Sequence, residues 1–332
     1  MMNVLVVGGA GYIGSTVTAQ LVQAGHSVVV FDDLSHGHRQ AVPAGAELVV
    51  GDIGDAAALD AVFARRSFDG VMHFAALIEA GESMQVPERY FHNNASGTLS
   101  LLEAMLRHKV GRLVFSSTAA LFGNPDRVPI AEDDRLLPTN AYGASKLLVE
   151  QMLPWLNTAH GLRFACLRYF NAAGARGPDY GEAHQPESHL IPLLLQVALG
   201  QRPSVSVFGS DYPTPDGTCV RDYIHVEDLA RAHLLALTAL AEHEALHYNL
   251  GNGEGFSVRQ VVEVARAVTG HAIPCVEAPR RLGDPAILVA SSARIRAELG
   301  WRPELAALRD IIASAWEWHR RHPNGYGAEV RQ

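Results

Sequence analysis

At 332 residues, with 48% hydrophobic and 19% charged side chains, the chain is a globular protein larger than one hydrophobic core usually serves, so a large and a smaller domain are expected. A formal net charge of −8 excludes a protein that works by coating nucleic acid or an anionic membrane, because a phosphate surface demands a basic face. The three cysteines, Cys166, Cys219 and Cys275, have no C-x-x-C spacing; this excludes a disulfide framework and fits a reducing, cytoplasmic setting.

The opening MMNVLVVGGAGYIGS is apolar but broken by glycines and lacks the basic start and cleavage site of a leader, so it reads as a buried strand and turn. No later apolar run approaches the roughly 20 residues of a membrane span. NVLVVGG, HSVVVFDDL, AELVVGDI, GVMHFAA, RLVFSST and RFACLRYFN are each of strand length and rich in β-formers. Between them, TVTAQLVQAG and ASGTLSLLEAMLRHKV carry helical periodicity. That alternation predicts an α/β fold of the Rossmann type, a doubly wound parallel sheet with helices on both faces. Past residue 175 the rhythm breaks at ARGPDYGEAHQPE, a polar loop rich in Gly and Pro. A helix (HLIPLLLQVALG), a strand and turn (SVSVFGSDYPTPDG), a second helix (VEDLARAHLLALTAL) and a final α/β portion follow. Among the sixteen histidines, His36 and His38 fall in a loop, and His184, His189, His225, His243 and His247 are scattered without H-x-x-x-H or H-E-x-x-H spacing. No metal site is expected from them.

Chemistry enters at the first turn. Gly8, Gly11 and Gly14 have G-x-x-G-x-x-G spacing, and Gly9, Gly11 and Gly14 also satisfy G-x-G-x-x-G. Glycines there allow a tight turn, close approach of a pyrophosphate and packing of the next helix on the strand. Asp32 closes the second strand, where a carboxylate accepts from an adenosine ribose diol and repels a 2′-phosphate, so the expected cofactor is NAD and not NADP. Asp52, ending the third strand, falls beside the adenine region, and HFAA ends the fourth with small residues that suit a ligand lying close. RLVFSST delivers Ser116, Ser117 and Thr118 to the C-terminal edge of the sheet, where ligands bind in open α/β folds.

PTNAYGASKLLVE then places Tyr142 and Lys146 one helical turn apart, so a phenol and an ammonium share a helix face. A Tyr base at pH 7 needs about 3 pKa units of help, about 4 kcal/mol. A Lys cation about 5 Å away supplies about 3 kcal/mol at an effective dielectric near 20. The positive ring of oxidised nicotinamide could supply the remainder. Such a phenolate can take a proton from a sugar hydroxyl while the cofactor takes the hydride.

Together GGAGYIG, HFAA, SST, YGASK and LRYFN resemble the extended short-chain dehydrogenase/reductase family. FGSDYPTPDGTCVRDYIHVEDLA and YNLGNG are similar to its branch of UDP-hexose 4-epimerases. The resemblance implies C4 epimerisation, with glucose and galactose as the main pair and N-acetylglucosamine as the alternative. In that reaction C4 is oxidised, the 4-keto sugar swings about its diphosphate, and hydride returns to the opposite face. It implies Tyr142 as base, Lys146 on the nicotinamide ribose and Thr118 on the 4-OH. Tyr12, Ile13, Ile53, Phe74, Ala75, Ala76, Asn93, Ser116 and Tyr169 join Gly8, Gly11, Gly14, Asp32 and Asp52 on the cofactor. Asn171, His189, Leu190, Ser206, Phe208, Arg221, Arg281, Asp284 and Leu288 fall to the sugar nucleotide, with Phe208 beside uracil and Arg221 as a diphosphate clamp.

Three positions depart from the family pattern: Ile78 stands where many relatives have Lys, His189 where Asn is common, and Leu288 at a position that governs room for an N-acetyl group. A dehydratase of this fold would carry an acidic pair after Thr118, where this chain has Ala119, Ala120 and Leu121. A non-catalytic dinucleotide sensor would have no use for Tyr142, Lys146 and Arg221 together. The expected organisation is an NAD-binding domain over 1–175 and a UDP-sugar-binding domain over 176–332, with part of 247–269 packing back on the first. Relatives imply a homodimer through helices within 95–108 and 144–160.

Overall fold

The computed structural model describes residues 1–281 and 284–327. In chain order the first half runs β1 (Asn3–Val7), α1 (Tyr12–Gln23), β2 (Ser27–Asp32), β3 (Ala46–Val50), α2 (Ala56–Phe63) and β4 (Gly70–His73). Short helices α3 (Ala80–Ser83) and α4 (Pro87–Tyr90) lead through a π-helical turn, Phe91–Ser96, into α5 (Gly97–Arg107). Then come β5 (Arg112–Thr118), α6 (Ala141–His160) and β6 (Arg163–Tyr169). The six strands read from the sequence are all present.

The second half adds β7 (Asn171–Ala173), α7 (Leu190–Ala198), β8 (Val205–Phe208), β9 (Val220–Arg221), β10 (Tyr223–His225), α8 (Val226–Ala239) and β11 (Ala245–Leu250). It ends with β12 (Phe256–Ser257), α9 (Val258–Thr269), β13 (Cys275–Ala278), β14 (Ile287–Leu288), α10 (Ala293–Glu298) and α11 (Leu308–Arg321). Among the described residues no helix is long and apolar enough to cross a membrane.

Seven strands form one sheet in the order β11-β6-β5-β4-β1-β2-β3, every neighbouring pair parallel. Strand order reverses between β1 and β4, so a crevice opens beyond their carboxyl ends, the place where such sheets take ligands. Because successive side chains point to opposite faces, β1 sends Leu5 and Val7 into one core and Val4 and Val6 into the other. The first core is closed by Leu59 and Val62 of α2, Leu101 and Met105 of α5, and Val149 and Leu153 of α6. Val17 and Leu21 of α1 with Leu229 and Leu237 of α8 close the second. Each such side chain contributes roughly 1.5–3 kcal/mol through its burial.

The boundary at residue 175 divides the chain but not the sheet, because α8 covers one face and β11 adds the seventh strand beside β6. Of the 247–269 stretch, β11 joins the sheet, whereas α9 packs with α7 and α11 in a third core. That core holds Leu194, Leu195, Val261, Ala265, Ile311 and Ile312 and supports the smaller lobe with its pairs β7–β10 and β8–β13 and the triplet β12-β9-β14. Asp222, between β9 and β10, fastens the lobe's strands to the end of β11. Its carboxylate accepts from Asn252 N at 2.8 Å and from Gly253 N and Ala290 N at 3.1 Å. Burial raises its pKa to about 6 even against those three donors.

Candidate active site

A cavity of about 330 Å³ lies at the switch point of the sheet, between the ends of β1, β4 and β5 and the loop entering α7. Its floor is the first glycine turn. Gly8 has φ +79°, and a Cβ there would come within 2.3 Å of Ala75 N; one on Gly14 would meet Gly8 O at 2.1 Å. These two glycines are required by the fold. Gly11 is different: a Cβ there would find only Gly8 O at 3.5 Å, an ordinary contact, so no protein atom excludes a side chain. It lines the cavity and is the N-cap of α1, with no side chain bonded to the helix's first amides. A bare helix N-terminus above an open cradle suits a pyrophosphate.

Asp32 is buried at the end of β2, with Oδ2 accepting from Ala10 N and Oδ1 from Leu34 N, both at 2.9 Å. Burial pushes its pKa up, and the two amides act against that. Each oxygen keeps a lone pair for a ribose hydroxyl. On the opposite wall, Asn94 of the π-helical turn accepts from Leu77 N at 2.8 Å, donates to Leu77 O at 2.9 Å and donates to Ser145 Oγ at 3.0 Å. This clamp holds the backbone after β4 against α6, and Asn93 beside it lines the cavity.

Tyr142 and Lys146 reach the cavity from the first turns of α6, which Asn140 caps by accepting from Gly143 N at 2.8 Å. Thr118, the last residue of β5, stands against the Tyr142 phenol and favours its ionisation. Burial is the larger influence and raises the phenol's pKa, with Glu79 adding to the rise. The Lys146 ammonium donates to Ser116 O at 3.0 Å and lies 4.9 Å above the Phe115 ring. Burial brings its pKa down to about 7. The sequence argument expected Lys146 to pull the phenol down; in the structure its ammonium is turned to a backbone carbonyl, and Lys146 is not among the groups that shift the phenol.

The lysine's depressed pKa carries a stability prediction. Between about 7 and 10.5 the unfolded chain holds a proton on Lys146 that the folded chain does not, so folding is favoured as pH rises through that window. Replacing Lys146 with Met is expected to stabilise NAD-free protein at pH 6 by on the order of a few kcal/mol, with the advantage shrinking towards pH 10. Thermal melts of both proteins from pH 6 to 9.5 measure it; an advantage that stays constant across that range would show the lysine to be stably charged in the fold.

Residues 4–251 match the NAD dependent epimerase/dehydratase family. That is well over half of the chain. The protein belongs to this family. It is 58% identical to a UDP-glucose 4-epimerase of Streptomyces lividans, over 97% of each chain. Among solved structures, a UDP-glucose 4-epimerase from Brucella ovis in complex with NAD superposes with a TM-score of 0.92 at 45% identity, covering 95% of this chain and 98% of that one. The enzyme from Bifidobacterium longum in complex with NAD+ and UDP gives 0.94 at 38% identity, covering 98% and 100%.

For this member of the epimerase/dehydratase family, the cavity gathers Gly8, Gly11, Tyr12, Ile13, Gly14, Asp32, Asp52, Ile53, Phe74, Ala75, Ala76, Asn93, Ser116, Tyr142, Lys146 and Tyr169, all expected at the cofactor. Thr118, Asn171 and His189 line it as well, and Ile78 stands in its wall with an alkyl chain. The other sugar-nucleotide candidates form a separate group in the smaller lobe. Arg221 on β9 pairs with Asp284 at 2.7 Å, and Leu288 on β14 sits in register opposite it. The Arg281 guanidinium lies 4.1 Å from the Phe208 ring centroid. Ser206 is exposed on β8, and Leu190 opens α7 directly after His189.

Reading the sequence missed Glu79, Glu82 and Tyr90, which line the cavity. Glu79 accepts from Ser188 Oγ at 3.1 Å and so ties the loop before α7 across the crevice. No spacing in IEAGES advertises that contact. Ser117 is turned away from the cavity and donates to Glu150 Oε1 at 2.6 Å. His184 and His189, set aside in the sequence as scattered, meet around Glu182 at the cavity's edge.

Proposed function

We propose that the chain is an NAD-dependent UDP-glucose 4-epimerase, an isomerase that interconverts UDP-glucose and UDP-galactose. The observation that carries this reading is the meeting of Tyr142, Thr118 and Lys146 at one end of a cavity whose other end is the Gly8–Gly11–Gly14 turn and Asp32. NAD, bound on the glycine turn and the Asp32 carboxylate, supplies a hydride acceptor and donor for sugar C4. Tyr142 takes the 4-OH proton and returns it on the other face, while Thr118 orients that hydroxyl. Lys146 binds the nicotinamide ribose and adds positive charge beside the phenol. Asn171, Leu190 and the group formed by Ser206, Phe208, Arg221, Arg281, Asp284 and Leu288 hold the UDP part, with guanidinium forks suited to a diphosphate.

In this reading residues 1–175, completed by α8 and β11, carry NAD, and the rest of 176–332 carries the sugar nucleotide. Leu99 on α5 and Leu148 and Trp155 on α6 are exposed, Trp155 by 76%, and give a second copy of the chain an apolar face. The three cysteines are free, which suits a cytoplasmic protein.

The test is to incubate purified protein with UDP-galactose and separately with UDP-N-acetylgalactosamine, following the C4 epimers by NMR. UDP-galactose is expected to equilibrate with UDP-glucose, and the N-acetylated sugar to turn over more slowly because Leu288 narrows its site. No turnover of UDP-galactose with NAD supplied would sink the assignment.

A further inference from the structure

The loop that leads into α7 carries Glu182, His184, Glu187 and His189, an E-x-H-x-x-E-x-H run. The fold brings the four together at the edge of the cavity, with the His189 side chain 41% exposed. Glu182 and Glu187 side chains are only 5% and 4% exposed. His184 Nδ1 lies 3.2 Å from Glu182 Oε1 and 3.9 Å from Glu187 Oε2. His189 Nδ1 lies 2.8 Å from Glu182 Oε1 and 3.3 Å from Glu187 Oε1. One ligand atom from each residue falls within 4.8 Å of the other three.

Two buried carboxylates require two positive charges, and two different sources could provide them. Protonated imidazoles would align their N–H bonds with the carboxylate oxygens. Instead both Nδ1 atoms are buried and neither makes a directed hydrogen bond, although oxygen lies close to each. A cation shared between the nitrogens and oxygens would account for that pattern, although Glu187 Oε1 also accepts from Ser188 N and His189 N, both at 2.8 Å. A tetrahedral ion with bonds of about 2.0–2.1 Å to nitrogen and oxygen separates its ligand atoms by about 3.3–3.4 Å. The separations to Glu182 Oε1, 3.2 and 2.8 Å, and to the nearer oxygen of Glu187, 3.9 and 3.3 Å, lie on either side of that value.

We propose that Glu182, His184, Glu187 and His189 form a closed N2O2 site for a divalent ion of the zinc class, which staples this loop over the cofactor cavity. Four protein ligands leave no open position, so the ion's role is structural. The loop it would fix is already anchored on both sides of the site. Tyr326 donates to Gly181 O at 3.2 Å and accepts from Gly181 N at 3.0 Å, and Tyr12 of α1 meets the His184 ring edge-on at 6.4 Å. Metal binding requires both imidazoles in their unprotonated form, so affinity falls as pH drops. The site stands whether or not the chain epimerises UDP-sugars.

The test uses the full chain, dialysed against a chelator, loaded with ZnCl2, CoCl2 or MgCl2 and freed of excess ion by gel filtration. One equivalent of zinc per chain is expected, with a tetrahedral cobalt absorption spectrum and no retained magnesium. Both zinc retention and the cobalt spectrum should be lost in His184→Ala and in Glu187→Gln, with folding of each variant checked by circular dichroism. Wild-type protein that retains no stoichiometric zinc overturns the proposal without reference to any variant. So does an undiminished equivalent in folded variants, which would move the ion to another group such as the buried Glu150, Cys166 and His247.

Discussion

Tyr142→Phe is expected to slow epimerisation of UDP-galactose about 10³-fold at saturating substrate, the scale of a lost general acid–base group. Phe keeps the ring that fills this part of the cavity wall and removes only the oxygen that faces Thr118. Substrate affinity should therefore change little, and the loss should fall on kcat rather than on KM. No other phenol can stand in. Tyr169 is the nearest candidate, and its hydroxyl is engaged with Ser116 Oγ while burial raises its pKa. Steady-state rates for both proteins decide the matter, and a loss below tenfold would mean that another group handles the 4-OH proton.

Arg168→Ala is expected to destabilise the fold by about 3–5 kcal/mol, because it strands a carboxylate in the core. Arg168 and Glu150 side chains are 5% and 3% exposed and meet at 2.6 Å. The guanidinium also donates to Glu132 O at 2.9 Å and lies over the Phe122 ring at 5.6 Å. Glu150 in turn accepts from Ser117 Oγ, one residue before Thr118, so the pair braces the end of β5 from behind the site. Urea unfolding of the variant measures the loss. A double replacement, Arg168→Met with Glu150→Leu, removes both charges together and should recover most of it; a single variant as stable as wild type would mean that water reaches Glu150.

Most of the strands that the sequence announced are buried on both faces; β3, at the sheet edge, is partly exposed. VLVV in β1 and VVVF in β2 are unbroken apolar runs because helices cover the sheet above and below. Strand β11, ALHYNL, gives no such signal. Asn249 is interior and polar, and the fold pairs its donors from a distance, with Glu132 Oε1 accepting from its backbone amide at 3.0 Å and Ile130 O from its side-chain nitrogen at 2.9 Å. Strands β9, β12 and β14 have two residues each and owe their existence to their neighbours, as no local preference can specify so short an element.

The same distinction runs through the site. Gly8 and Gly14, Asp32, Thr118, Tyr142 and Lys146 were legible because their chemistry depends on short-range spacing: a turn, the end of a strand, one turn of a helix. Their electrostatic state was not legible, since the direction of the Tyr142 and Lys146 pKa shifts depends on burial, which chain neighbours do not control. Nor could spacing reveal that Arg221 pairs with Asp284, that Glu79 reaches across the crevice to Ser188, or that Glu182 lies between two histidines. Local sequence thus set the fold class, the family and the identity of the chemical groups, because periodicity and motif spacing are properties of adjacent residues. Which groups meet, and with what charge, emerged only from the packed chain, because water exclusion and contacts between distant segments arise when the lobes close together.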